Sequence, residues 1–404
     1  MMNESLSGIH IAALDLGTTK FCLATFDTCG KKLSPPLKTL SIDADGMRRG
    51  MLADFDKARQ ALVTLLSMAE KEHMGPINRI AVGIAGSHLK SDYITYEKVL
   101  TDQRITRQTL DKMSEEAARS GNKHDLVSLH TIPVAYQPNN REWIENPLGF
   151  HTDKLSGKYF RISADRHYVS DVISLCNQAG LEVTSLYAEP WASTAVTLTS
   201  EDKEKGVVLA DIGGGTTDGI VFHSSQPIKL FTINIGGVLM TRDLSLGLNV
   251  PYQYAEQIKF ERGLSDYTHS ETKAGEMTSQ KILYSRAQEL AWYLNKELNS
   301  LKLPYGAGLI LTGGGSEVKG LCEEFSKLLK MQVRAVIPAP EEKISGDYRL
   351  QEHYFIPLKA AKYATVSGML ILELQKLIET KCSRKKLVLE KYLRQFYNWI
   401  RELS

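Results

Sequence analysis

The chain has 404 residues, 43% of them hydrophobic, and a formal charge of +2. That length and apolar content predict two or more domains with real cores and exclude a disordered chain, and the small charge gives no footing for nucleic-acid binding. Five scattered cysteines (Cys22, Cys29, Cys176, Cys322, Cys382) without metal-ligand spacing predict reduced thiols in the cytosol. With no signal-like leader and no run of about 20 apolar residues, any membrane contact is expected to lie on one face.

In chain order, a strand over Ile9–Leu14 runs into Asp15-Leu16-Gly17-Thr18-Thr19-Lys20 and out into a strand over Phe21–Phe26. Gly46–Gly50 reads as a loop, and Asp54 as the N-cap of a helix with its stripe on Leu62, Leu65, Leu66 and Ala69. Arg79–Ala85 reads as a short buried strand. Residues 87–167 then carry a strand (Tyr93–Leu100), a helix (Thr106–Ser120) and strands near Leu129–Tyr136 and Lys158–Ser163. His167–Gly180 reads as a helix with Val169, Val172, Ile173 and Cys176 on one face, which makes Cys176 a packed thiol. Glu189-Pro190 opens another helix. Glu189 is either a helix-start glutamate favoured by the dipole or a carboxylate that orients or deprotonates water.

A buried strand, Val207–Ile212, enters Gly213-Gly214-Gly215-Thr216-Thr217-Asp218 and leaves through Gly219–Phe222. Such glycines let backbone N–H groups close around a phosphate, and Asp211 at the strand end can orient a Mg²⁺ through water. One Asp-x-Gly is an ordinary turn. Two, each followed by Thr-Thr inside a strand-turn-strand, predict an internal duplication whose turns face one ligand.

Ile233–Ile235 leads to Gly236-Gly237, and Pro251 starts a helix through Arg262 closed by Gly263. Glu256 and Lys259 project from one side of it, the usual spacing of a solvated surface pair. Ser265–Ser279 reads as a loop and Lys281–Leu301 as a long helix with Leu283, Ala287, Leu290, Leu294 and Leu298 in one stripe. Next come Gly308–Thr312, the turn Gly313-Gly314-Gly315-Ser316 and a helix expected from Glu317 to Lys330. A dinucleotide fingerprint would need an acid closing the strand Val333–Ile337, where Pro338 stands instead. There is no Walker loop either, since Gly157-Lys158 is followed by Tyr159. Pro338–Asp347 reads as a loop, Ala360–Leu377 as an apolar helix and Lys381–Lys386 as a short basic linker.

In the last stretch Leu389, Tyr392, Leu393, Phe396, Trp399, Ile400 and Leu403 share one helical face, opposite Lys391, Arg394, Asn398 and Arg401. A helix packed on its own domain is one reading. Its place after the basic linker, with cations opposite aromatics, favours an in-plane helix on anionic lipid.

The two phosphate-type turns and the later glycine turn, in that order, resemble the actin-like ATPase superfamily. The segment 87–167 is similar to the insert of the FtsA family, with Leu129-His130-Thr131-Ile132-Pro133 to Tyr136 and Glu145-Asn146-Pro147-Leu148-Gly149-Phe150. Gly46-Met47, Gly50, Asp54 and the tail also resemble FtsA, whose linkers are often longer. The resemblance implies an α/β duplicated actin-like fold with an inserted α+β subdomain and a C-terminal amphipathic helix. It implies one half over 1–86, 168–200 and 359–380, the insert at 87–167 and a second half over 201–235 and 306–358. It further implies a nucleoside-side subdomain at 236–305 and a linker with a membrane helix at 381–404. ATP and Mg²⁺ are the implied cofactors. Asp15 and Asp211 would orient the metal, and Gly17, Thr18, Thr19, Lys20, Gly213, Gly214, Gly215, Thr216 and Thr217 would line the phosphates. Gly237, Gly313, Gly314, Gly315, Ser316, Glu256 and Lys259 would hold the nucleoside, the last two within Ala255-Glu256-Gln257-Ile258-Lys259. Glu189-Pro190-Trp191-Ala192 is similar to a DnaK-type motif whose glutamate orders water, and any hydrolysis would be slow. The implied partners are FtsZ, further copies of the chain in a head-to-tail filament contacted through the insert, an anionic membrane and other division proteins. Nucleic acid is not among them. The implied place is the inner face of the cell membrane at the division site. A PilM-like pilus adaptor would share the insert but lack the tail. A sugar or acid kinase would need a base aspartate and a pocket in place of the insert. A chaperone would need a peptide-binding domain, and the roughly two dozen residues after the returning helix are too few for one.

Overall fold

The computed structural model describes residues 9–29, 32–33, 38–120, 125–264, 278–338, 343–345, 348–349 and 360–384. The expected amphipathic tail, with all of its lipid-facing residues, lies outside the described residues, as do most of the 265–279 and 338–347 loops.

The chain opens with an antiparallel hairpin of β1 (Ile9–Leu16) and β2 (Lys20–Cys29), whose second strand also pairs with β3 (Lys32–Leu33) and β4 (Lys38–Asp43). Along β1 the alternation sends Ala12, Leu14 and Leu16 into one core and Ile11 and Ala13 into another, so the apolar run Ile11–Leu14 buries both faces. The stretch expected as a loop at Gly46–Gly50 contains a small hairpin, β5 (Met47–Arg48) on β6 (Met51–Leu52). It reverses through Arg49 and Gly50, both at positive φ. Asp54 accepts from Lys57 N at 3.1 Å and starts α1 (Phe55–Lys71), which buries Ala58, Leu62, Leu65 and Ala69. Strand β7 (Arg79–Ile84) then pairs parallel with β1.

The insert follows as β8 (Lys90–Arg104), α2 (Arg107–Arg119), β9 (Leu126–Pro138) and β10 (His151–Asp165), an antiparallel sheet in the order β8-β10-β9. Its strands outrun their apolar stretches because polar neighbours also pair across strands. The Arg161 guanidinium grips Asp92 at 2.9 and 2.7 Å, and Lys154 meets Glu97 at 2.7 Å. The insert has a small core of its own around Leu100, Met113, Leu155 and Tyr159, yet Phe160 and Ile162 belong to the core of the first half. Helix α3 (Arg166–Gln178) ends before Gly180, β11 (Glu182–Ala188) pairs parallel with β7, and α4 (Glu189–Thr197) crosses toward the rest of the chain.

After α5 (Ser200–Lys205), three strands meander: β12 (Val207–Ile212), β13 (Thr217–His223) and β14 (Gln226–Ile233). Helices α6 (Gly237–Leu248), α7 (Tyr252–Glu261) and α8 (Ser279–Asn299) follow, then β15 (Gly308–Thr312), α9 (Leu321–Leu329) and β16 (Val333–Ala335). All five leucine-stripe positions expected in α8 are buried, each leucine contributing roughly 1.5–3 kcal/mol. Helix α9 starts later than expected. Gly314–Glu317 is a 3-10 turn, Val318 is extended and Gly320 takes φ +77°. The short pair β17 (Lys343–Ser345) and β18 (Tyr348–Arg349) precedes α10 (Ala364–Arg384). Lys381–Arg384, expected as linker, continue this helix.

The second sheet runs β14-β13-β12-β15-β16. The first runs β4-β2-β1-β7-β11, with the same pairing senses at every step up to β7 and beyond it. The duplication read from two turns is therefore a duplication of whole sheets. Helix α10 returns to the first half as expected, packing Val366, Met369 and Leu370 with Ile11, Ala13 and Ala192. Among the described residues, no helix is long and apolar enough to cross a membrane.

Candidate nucleotide cleft

The two repeated turns sit tip to tip at the mouth of one cleft. A Cβ on Gly214 would lie 2.5 Å from Thr19 Cγ2, and one on Gly215 2.5 Å from Thr18 Oγ1. The first turn's threonines therefore occupy space that side chains on the second turn would need, which explains glycine at 214 and 215 opposite Thr19 and Thr18. Thr18 is fixed in turn by the Gly50 N–H, which donates to its hydroxyl at 2.8 Å. The second turn closes on itself through Gly213 N–H to Thr216 O at 2.9 Å. Gly237 and Val238, at the start of α6, donate back to Gly213 O and Gly214 O.

The third glycine turn completes the wall. Gly313 takes φ +78°, and a Cβ there would lie 2.1 Å from Asp211 Oδ1. Gly314 is different, since a Cβ on it meets only Lys362 Cβ, at 3.8 Å.

Four carboxyl groups gather where the walls meet: Asp15 at the end of β1, Asp211 at the end of β12, Asp218 on β13 and Glu189 at the first position of α4. Burial pushes Asp15 and Asp211 up to about 7. Burial, then the neighbouring Asp15, Asp218 and Asp211, raises Glu189 well above the carboxylate range, so Glu189 holds the proton in its hydrogen bond with Asp15. Asp218 is raised by burial and held by hydroxyls of Thr216 and Thr232, each at 2.6 Å. Asp211 accepts from Ser193 at 3.2 Å. Asp15 Oδ1 is buried without a hydrogen-bond partner. A group of buried acids with an unsatisfied oxygen fits a hydrated divalent cation, whose charge would restore their ionised forms. Direct ligation is a separate matter: among the described residues no three His, Cys, Asp or Glu side chains converge as a ligand set. The arrangement therefore fits a cation held through its water shell.

On the α6–α7 side, Lys259 is only 3% exposed. Its ammonium donates to Glu256 at 2.7 Å, Thr241 Oγ1 at 2.9 Å and Gly237 O at 3.3 Å. Burial lowers its pKa and Glu256 offsets part of that shift. A solvated surface pair is therefore not what this spacing encodes here. Lys259 is a buried cation with its protons aimed at the cleft wall, and Glu256 is its half-buried partner.

Most residues singled out from the sequence line this one cleft: Asp15, Gly17, Thr18, Thr19, Lys20, Glu189, Asp211, Gly213, Gly214, Gly215, Thr216, Gly237, Glu256, Lys259, Gly313, Gly314 and Gly315. Two turn away from it. Thr217 is fully buried and donates to Ile235 O at 2.7 Å, and Ser316 donates to Gly313 O at 2.7 Å. Both hydroxyls serve backbone groups of their own walls. The sequence reading missed Asp218, Tyr252, Phe260, Lys362 and Thr365, which also line the cleft. For Asp218 the signal was present, a lone acid entering an apolar strand. Lys362 and Thr365 arrive from the far end of the chain, where no local pattern marks them.

Two family models match the chain, together over more than half of it: "Cell division protein FtsA" at residues 208–368 and "SHS2 domain inserted in FTSA" at residues 86–163. The cell division protein FtsA of Pseudomonas aeruginosa is 26% identical over 387 residues, covering 92% of this chain and 90% of that protein. The Escherichia coli protein of that name is 22% identical, covering 89% and 91%. Among solved structures, a PilM–PilN type IV pilus biogenesis complex aligns with TM-score 0.61 at 17% identity, over 90% of this chain and 98% of that one. MreB5 of Spiroplasma citri bound to ADP aligns with TM-score 0.51 at 14% identity, over 92% and 98%. Both likenesses are of fold, and both are to actin-like proteins.

Proposed function

Since the chain belongs to the FtsA family of cell-division proteins, with the actin-like fold and its inserted subdomain, we propose that it binds Mg-ATP in the cleft, polymerises head to tail and tethers FtsZ to the inner face of the cytoplasmic membrane at the division site. The observation that carries the reading is the interlock of two duplicated glycine-threonine turns around buried acids. Backbone amides and Lys20 would face the phosphates, and Asp15 and Asp211 would orient the water shell of the metal. A bound divalent cation would supply charge that keeps these acids ionised. Lys259, Glu256, Gly237 and the Gly313–Gly315 turn would hold the nucleoside. Glu189 carries a proton while it faces Asp15 uncompensated, so it could orient water only once charge in the cleft relieves that pair. Glu189→Ala should lower any hydrolysis by ~10²–10⁴-fold while leaving ATP binding intact. Unchanged turnover would remove the role from Glu189.

The binding test uses Gly314, the one turn glycine of the third wall whose added Cβ clashes with nothing. Gly314→Val should keep the fold and weaken a fluorescent ATP analogue by about ten-fold or more through overpacking. Parent-like affinity would place the nucleotide elsewhere. For assembly, the insert's exposed Trp143 and Phe150 are the better probes, because deleting 87–167 would also remove part of the first-half core. Polymer on a lipid monolayer that survives Trp143→Glu with Phe150→Glu would argue against this surface as the contact. For the membrane, Trp399→Glu should abolish co-sedimentation with anionic liposomes without affecting ATP binding, since many weak tails act together in a polymer.

A further inference from the structure

A continuous set of contacts runs from the cleft into the insert. Strand β14 is the edge of the second sheet, and β8, the first strand of the insert, lies along it. Tyr93 OH donates to Pro227 O at 2.7 Å, Leu230 N–H donates to Ser91 Oγ at 3.0 Å, and Thr232 Oγ1 lies 3.2 Å from Gly86 O. At the cleft end of this seam the Thr232 hydroxyl donates to Asp218 Oδ1 at 2.6 Å, and the Gly86 N–H also serves the Asp218 carboxylate. Gly86 is where the chain has left β7 and turns toward the insert, at φ +108°. Asp218 lines the cleft, and Thr232 does not.

We propose that Asp218 and Thr232 are positioning residues that couple a ligand in the cleft to the orientation of the inserted subdomain, through Gly86 at its root. The inference rests on the nucleotide reading above. Asp218 is shared between two sides. Its Oδ2 accepts from Thr216 of the phosphate turn at 2.6 Å, while its Oδ1 accepts from Thr232 of the edge strand and the carboxylate is also served by Gly86, the first backbone step of the insert. A ligand that draws the carboxylate toward the cleft changes what Thr232 and Gly86 bond to. Such coupling is reciprocal, so a partner seated on the insert alters nucleotide affinity by the same factor.

The experiment is amide hydrogen exchange on the full chain, with and without Mg-ATP, read at residues 86–93 and at β14, with nucleotide affinity measured in parallel. In the parent, Mg-ATP should change protection at the root. Thr232→Val keeps the shape and removes the hydroxyl. It should bind ATP as the parent does and reduce the ATP-dependent change by about ten-fold, the loss of one hydrogen bond to a charged group. Thr232→Ser should restore it, which a purely packing role for Thr232 would not require. Ser91→Ala, farther along the seam, should loosen baseline exchange and keep the ATP response. If Thr232→Val does not fold, Asp218→Asn read at saturating nucleotide takes its place. An ATP response in Thr232→Val equal to the parent's overturns the coupling, as does a parent that binds ATP with no change at 86–93. Neither result touches the nucleotide reading. A parent that binds no nucleotide overturns both.

Discussion

The two halves share one skeleton and differ in where each has been enlarged. Both have three antiparallel strands, a helical connection, a parallel strand, a second connection and a final parallel strand. In the first half the connection after β4 is the small β5–β6 hairpin and helix α1, and the one after β7 has grown into the insert plus α3. In the second half the connection after β14 has grown into α6, α7 and α8, and the one after β15 is only the 3-10 turn and α9. The additions fall at different joints, yet each returns to the cleft. The insert stitches its first strand to β14, and α6 and α7 bring Gly237, Glu256 and Lys259 to the cleft wall. The difference teaches that the repeated part carries the turns and acids, while the unrepeated parts decide what else the cleft can sense.

The largest test of that equivalence is electrostatic. Asp15 and Asp211 occupy matching strand ends, and burial raises both from 3.8 to about 7. Across that window the folded chain binds more protons than the unfolded one, so without a cation stability falls as pH rises from about 4 to about 7. Each group accounts for at most about 4 kcal/mol. Asp15→Asn and Asp211→Asn should each flatten the pH dependence of the thermal midpoint, and Mg-ATP should flatten it in the parent. A slope that only one substitution changes would break the symmetry.

A smaller effect probes the interlock. Gly214→Ala places a methyl against Thr19, which supplies its three nearest atoms, and should cost about 1–3 kcal/mol. Thr19→Ala in the same chain should recover most of it, giving a coupling energy between residues of opposite halves. Independent, additive losses in denaturant unfolding would mean the turns do not bear on one another. The smallest effect is at the seam. Tyr93→Phe removes one rung to Pro227 and should cost about 1 kcal/mol with no change in nucleotide affinity. A change in affinity would extend the coupled path beyond Thr232.

What could be read from the sequence was local and repeated. Asp-x-Gly with Thr-Thr occurs twice, so the turns and the duplication were legible, as was the α8 stripe, where one residue type recurs at helical spacing. Strand β11 was not, because most of its residues are half-buried and it lies between two helices. Helix α6 begins on Gly236 with no side-chain cap, so nothing announces it. The burial of Lys259 was invisible because an i,i+3 Glu-Lys pair looks the same on a surface helix, and only the Thr241 hydroxyl, a helix away, distinguishes the two cases. Thr217 and Ser316 were drawn into the site by adjacency, since a turn motif does not say which of two hydroxyls points outward.

His130 of the insert has a consequence for inheritance. Its ring accepts the Ala188 N–H at 3.0 Å, one residue before Glu189, and lies against Tyr187 and Trp191, with Trp191 stacked in turn on Phe222 of the other half. Burial drives its pKa down to about 3, so it stays neutral and keeps that acceptor at any physiological pH. A segment joined in this way is not a cassette. Recombination that exchanged 87–167 between relatives, cutting at its two sequence ends, would sever an aromatic stack that neither parent's boundary reveals. Chimaeras should therefore survive only when Tyr187, Trp191 and Phe222 travel with the insert, and lineages should gain or lose the two pieces together.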